Sequence, residues 1–196
     1  MKKSTLIIII CVAVAALLCL WCANRYNAMV TEEENVETAW GQVENQYQRR
    51  ADLIPNLVAT VKGYAAHEAE TLEAVMEARA KATSVTLNAN NMSEDELRSF
   101  QQAQGSLTTA LGRLLAVSEA YPDLKANTNF LELQSQLEGT ENRITVARNA
   151  FNEAARQYNT LIRRFPGNII AAMFGFEKKP YFEAENGAEK APKVEF

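Results

Sequence analysis

Apolar positions along this chain form one unbroken block followed by three long periodic stretches. The block covers residues 6–23, eighteen positions without a charge. As a helix rising about 1.5 Å per residue it reaches roughly 27 Å, close to the thickness of a bilayer core. It lacks the polar face of a helix that packs one side on a soluble core. The first periodic stretch runs through Val36, Trp40, Val43, Tyr47, Ile54, Leu57, Val61 and Tyr64, then Leu72 and Val75, in steps of four and three. That spacing predicts a helical seam. Pro55 interrupts it, because proline removes a helix hydrogen bond and crowds the preceding turn. Either a kink near residues 50–54 or two helices meeting there is expected.

A polar break at 88–92 precedes Ser93-Glu94-Asp95-Glu96, the pattern of a capping box that starts a helix. The second seam follows at Leu97, Phe100, Gln104, Leu107, Leu111, Leu114, Ser118 and Tyr121, and Pro122 stops it. Asn127 is placed to cap a third helix with a seam at Phe130, Leu133, Leu137, Thr140, Ile144, Ala147, Phe151, Ala154, Tyr158, Leu161 and Phe165. Residues 169–174 are apolar enough for one short further helix. From Glu177 the chain turns polar and reads as an extended, loosely held tail. No strand-like alternation competes. The pattern therefore predicts an all-α protein: an N-terminal transmembrane helix, then an antiparallel bundle of long helices, then a short extended tail. The expected divisions are an anchor at 1–23, a bundle at 24–176 and a tail at 177–196. Nothing between the block and Val36 breaks a helix, so the anchor is expected to run on as a stalk through Glu32-Glu33-Glu34.

Leu6, Ile10, Val14, Leu18 and Trp21 typify the expected anchor, with Trp21 and Tyr26 at its far interface, where amphipathic rings prefer to lie. Cleavage as a signal peptide after Ala23 would place Trp21 where a small residue belongs. Leu18 before Cys19 and Trp21 before Cys22 fit a lipoprotein site equally badly. Lys2 and Lys3 precede the block and only Arg25 follows closely, which favours a cytoplasmic N-terminus and an extracytoplasmic body by a slim charge margin; a cytoplasmic body stays open. All three cysteines, Cys11, Cys19 and Cys22, lie in the block, so the body has no disulfide framework and no thiolate metal site.

With a net charge of −4 and no Lys/Arg run longer than a pair, the chain is a poor nucleic-acid ligand. Its one histidine, His67, cannot build a His-rich metal site and reads as a plain surface residue. There is no nucleophile elbow and no P-loop. The sequence calls for no cofactor, metal or catalytic residue. More informative are polar residues on the seams: Arg50, Gln104, Ser118 and Thr140. A buried charge needs a partner, and the simplest pairing sets Arg49 or Arg50 against Glu138 or Glu141, with Arg143 nearby. Such a cluster would fix register, or would line a polar pocket for a ligand. The terminal Val194-Glu195-Phe196 fits strand addition to a PDZ-type groove, a match short tails reach often by chance.

Ala39-Trp40-Gly41-Gln42-Val43-Glu44-Asn45-Gln46-Tyr47-Gln48-Arg49-Arg50, followed by Asp52-Leu53-Ile54-Pro55-Asn56-Leu57-Val58, closely resembles the LemA family. Further matches are Val61-Lys62-Gly63-Tyr64, Tyr121-Pro122-Asp123-Leu124-Lys125-Ala126, Leu137-Glu138-Gly139-Thr140-Glu141-Asn142-Arg143-Ile144, Ala147-Arg148, Tyr158-Asn159 and Phe165-Pro166. The resemblance implies a bacterial membrane protein with a helical-bundle body and supplies no reaction. A magnetosome-forming branch suggests membrane organisation by analogy, and some members have been described with the body in the cytoplasm. Together these readings lead to the expectation of a non-enzymatic, single-pass scaffold or adaptor of the cell envelope. It would act in the inner membrane through self-assembly, as a homo-oligomer, or through other envelope proteins. The alternative is a domain that senses a ligand or peptide in a polar pocket between helices, with hydrolysis a distant third.

Overall fold

The computed structural model describes residues 3–183. Among these there are six helices and no strand: α1 (Lys3–Tyr64), α2 (Ala69–Ser84), α3 (Glu94–Val117), α4 (Pro122–Lys125), α5 (Thr128–Arg163) and α6 (Gly167–Phe174), with a short 3-10 turn before α4. Val194 and Phe196 of the tail lie outside the described residues.

α1 is a single helix of 62 residues. Residues 3–20 are exposed throughout, and this is the one helix, among the described residues, long and apolar enough to cross a membrane. The buried face opens at Met29 and continues through Val36, Trp40, Val43, Tyr47, Arg50, Ile54, Leu57 and Val61. Pro55 does not divide it, which overturns the expectation of two helices meeting there. Proline has no N–H for the carbonyl one turn back, that of Ala51. That carbonyl instead accepts a hydrogen bond from Arg79 Nε of α2 at 2.8 Å, so the orphaned acceptor has a partner from a neighbouring helix.

The real break comes at residues 65–68, so Leu72 and Val75 belong to a second helix. His67 is exposed in this turn. Tyr64, expected on the seam, is 44% exposed, and its hydroxyl accepts from Asn127 Nδ2 at 2.8 Å.

The capping box at α3 forms as its pattern predicts. Ser93 Oγ accepts from the Glu96 N–H at 3.2 Å, and the Glu96 carboxylate accepts from the Ser93 N–H at 2.9 Å. Asn127 Oδ1 accepts from the Phe130 N–H at 3.0 Å and caps α5. The Ser93 backbone bond, followed by its hydroxyl bond, holds the Glu96 carboxyl below its ordinary pKa. The box therefore adds stability above the ordinary carboxylate range, and that stability is lost as pH falls through the depressed folded value. Glu96→Ala, which removes the carboxylate and leaves the Ser93 Oγ cap in place, is expected to lower the urea midpoint at neutral pH and to change it less in strong acid.

Along α5 the buried stripe follows the predicted positions at Phe130, Leu137, Thr140, Ile144, Ala147, Phe151 and Tyr158, with Leu133 half-buried, and towards the end it shifts by one residue to take in Ala155, Asn159 and Ile162. A strict 3.5-residue spacing drifts about 20° per heptad on a straight helix, so after four heptads the inward face has moved by most of one position. Ala154 and Leu161 are accordingly half-buried, and Phe165, beyond the helix end, is 81% exposed.

As α1 numbers rise, their α5 partners fall: Trp40 meets Phe151, Arg50 meets Glu141, and Tyr64 meets Asn127. α2 packs on α3 and on α1. Two apolar clusters result. One gathers Met29, Trp40, Phe100, Phe151 and Tyr158; the other gathers Ile54, Leu57, Leu107, Leu114 and Phe130. Residues 177–183 are extended but not loose: Lys179 and Phe182 are 4% and 6% exposed. Composition alone hid this, because the few apolar atoms of the segment dock on a groove made by other elements.

Candidate functional site

Between the two apolar clusters lies a polar layer built around Arg50. Its side chain is 2% exposed, and Nη1 donates to Glu141 at 2.8 Å and to Thr108 at 3.0 Å. Nη2 donates to the Gln104 backbone carbonyl at 3.4 Å and to Gln104 Oε1. The guanidinium also lies over the Tyr47 ring, 5.1 Å from its centre. Gln104 is fixed in turn by donating Nε2 to the Ala82 carbonyl at 3.1 Å, which ties α2 into the layer. A charge this deep is tolerated only when countercharge and acceptors surround it.

Of the residues that sequence singled out, Arg50 and Glu141 are brought together. Arg49, Glu138 and Arg143 are exposed and stand outside the layer, with Glu138 accepting from Gln134 instead.

Above Arg50 the structure opens. α3 and α5 do not pack backbone to backbone here, and a polar cleft of about 640 Å³ lies between them. Arg50, Arg98 and Arg148 line it together with Glu141 and Glu183, with Gln101, Thr108 and Thr145 as hydrogen-bonding groups. Three guanidiniums against two carboxylates give the cleft a slight preference for anions.

The cleft is closed at one end by the docked tail. Arg148 and Gln101 donate to the Glu183 carbonyl at 3.0 and 3.1 Å. Two asparagines seven apart on α5 hold the tail backbone. Asn159 donates to the Lys179 carbonyl at 2.8 Å and accepts from its N–H at 2.9 Å; Asn152 donates to the Phe182 carbonyl at 3.0 Å and accepts from its N–H at 2.8 Å. Two helical turns rise about 10.5 Å, and three extended residues span about 10 Å, so the two repeats match. Lys179 Nζ is buried against Glu33 Oε1 at 2.8 Å and the Asn90 carbonyl at 2.9 Å, over the Tyr158 ring. Burial, then the nearby Glu33 and Glu177 charges, pushes the Tyr158 hydroxyl well above its ordinary pKa. Phe182 stacks on Trp40 and meets Phe151 edge-on.

Sequence reasoning missed this clasp. Its only signal was a pair of asparagines at heptad spacing beside a buried stripe. Asn159→Leu leaves the Lys179 backbone groups unpaired and is expected to cost about 2–3 kcal/mol. Faster proteolytic cutting within 177–183 would check it.

This is a helical-bundle protein whose first helix carries a fully exposed apolar segment. The LemA family model matches residues 39–196, and the chain belongs to that family. Magnetosome protein MamQ 2 of Paramagnetospirillum magneticum is 28% identical over 176 residues, covering 81% of this chain and 65% of that protein. Magnetosome protein MamQ of Magnetospirillum gryphiswaldense is 28% identical over 175 residues, covering 81% and 64%. Protein LemA of Metamycoplasma hominis is 24% identical over 161 residues, covering 82% and 70%. The chain thus spans just under two thirds of the length of the magnetosome relatives.

Proposed function

We propose that this chain is a bacterial single-pass inner-membrane protein whose antiparallel bundle serves as a non-catalytic scaffold, assembling with itself or with other envelope proteins. Its divisions are an anchor at 1–23, a bundle at 24–176 and a tail at 177–196. The first boundary marks a change of surroundings, not of helix.

The observation that carries this reading is the continuity of α1. One helix runs from an apolar, fully exposed stretch to the centre of the bundle, so the body is held to the anchor by unbroken backbone. A stiff coupling suits a scaffold, which must hold partners at a set height above the bilayer. The relatives named as magnetosome proteins support a role at a membrane. Lys2 and Lys3 against Arg25 favour a body outside the cytoplasm. Alkaline carbonate washing of membranes tests the anchor. The full chain is expected to stay in the pellet, and its release into the supernatant would contradict a spanning helix.

A second reading rests on the cleft. Arg50, Arg98 and Arg148 around about 640 Å³ suit a small anionic ligand or an acidic peptide end. Native mass spectrometry of protein released from its own membranes distinguishes the two. A bound anion lost on Arg98→Ala favours the ligand-sensing reading; bare protein favours the scaffold.

A further inference from the structure

Among the described residues of the body, large exposed apolar side chains gather within 165–174, at the end of the bundle where α1 emerges. Phe165, Ile169 and Met173 follow one another at four-residue steps and are 81%, 53% and 74% exposed; Phe174 beside them is 59% exposed. The opposite side of α6 is buried through Ile170 and Ala171, at 3% and 4%. α6 is therefore apolar on both sides, which in water leaves an unfavourable patch. Other exposed large apolar residues, such as Met76, Leu131 and Val146, are separated along the chain.

The level of α6 along α1 decides what faces this patch. Phe174 and Phe176 pack on Tyr26 with ring centres 4.9 and 5.6 Å apart. Gly167 leaves room for Met29, whose Cε would lie 3.3 Å from a side-chain carbon placed there. Trp21, still within the uncharged block, packs against the same apolar cluster as α6. Tyr26 stands three residues past Ala23, about 4.5 Å along the helix. If α1 spans a bilayer, α6 is at headgroup depth. The surrounding charges agree: Arg163 and Arg164 are exposed just before α6, and the Arg25 guanidinium lies over the Trp21 ring at 5.8 Å. Cations beside aromatic rings suit the interfacial layer and its phosphates.

We propose that Phe165 and α6 form a second membrane contact, with Phe165, Ile169, Met173 and Phe174 seated in the interfacial layer of the bilayer that α1 crosses. This rests on the anchored reading above and goes beyond it. A single spanning helix leaves the bundle free to rotate about its own axis. A second contact on one side fixes which face of the bundle turns towards the membrane and which, with the α3–α5 cleft, turns elsewhere.

The test uses the full chain in liposomes whose acyl chains carry bromine at shallow positions, compared with unbrominated lipid. Native Trp21 reports the anchor, read as the native emission minus that of Trp21→Phe; each added tryptophan is read as the variant minus the native chain, which cancels the buried Trp40. Met173→Trp adds a reporter in α6, and Val146→Trp, at a 68% exposed site in the middle of α5, is the control. Interfacial apolar faces sit about 5–10 Å into the headgroup and acyl boundary, so the indole introduced by Met173→Trp is expected to lose about half or more of its emission, as Trp21 does, while the control loses none. Quenching at Trp21 without quenching at position 173 would overturn the second contact and leave the anchor standing. A blue-shifted but unquenched signal at 173 would also overturn it, assigning the patch to a protein neighbour such as a second copy. Absence of quenching at Trp21 would overturn the anchor and this inference together.

Discussion

Glu141→Leu is expected to destabilise the body by about 2–3 kcal/mol, read as a lower urea midpoint with an unchanged slope. The substitution leaves the Arg50 guanidinium buried with Thr108 and Gln104 as neutral acceptors but without its countercharge. Removing one partner of a fully buried pair costs about 3–5 kcal/mol. The smaller figure applies because the Glu141 side chain is 40% exposed, so cleft water takes over part of its role. Arg50→Met combined with Glu141→Leu is expected to cost less than the sum of the single changes, since no charge is then stranded. Additive losses would show that Arg50 and Glu141 are not energetically coupled. Arg143→Leu, at an exposed position outside the layer, is expected to change stability by less than about 0.5 kcal/mol.

Trp40→Ala is expected to cost about 3–5 kcal/mol and, in the same variant, to free the tail. Trp40 is 3% exposed and sits where three elements and the tail meet. Phe100 of α3 and Phe151 of α5 approach edge-on at 5.6 and 5.5 Å, and Phe182 stacks at 6.1 Å. Removing the indole leaves a cavity that none of these rings can fill without losing its own contacts. The expected result is a lower unfolding midpoint together with proteolytic cutting between 177 and 183. A variant that loses stability yet keeps its tail protected would show that the asparagine clasp alone holds the segment.

What the sequence disclosed divides by range. The capping box at Ser93, the Asn127 cap and the seams of α1, α3 and the first half of α5 follow from residues within a turn or two of each other. Arg50 was legible because a charge on an apolar seam requires a partner, and the choice of Glu141 over Glu138 then follows from which of them faces inward. Pro55 does not end the helix because the carbonyl it leaves without a donor is served by Arg79, a residue from another helix that no local rule brings there. The turn at 65–68 carries no strong punctuation, so the seam reads as continuing into α2. The tail reads as loose because its binding depends on Asn152 and Asn159 side chains pairing with backbone, which leaves no mark in the tail's own composition. Phe165 falls off the seam because α5 ends at Arg163, one residue before the Arg164 cap and two before the periodic position.

On the proposed scaffold reading, the anchored bundle assembles in the membrane. The most direct measurement is the mass of single particles of the full chain, extracted with surrounding lipid into native nanodiscs and counted over a wide range of expression levels. Particles with two or more copies, or one copy with a constant partner mass, are expected to persist as the surface density falls. One copy per particle and nothing else, at every density, would contradict that reading.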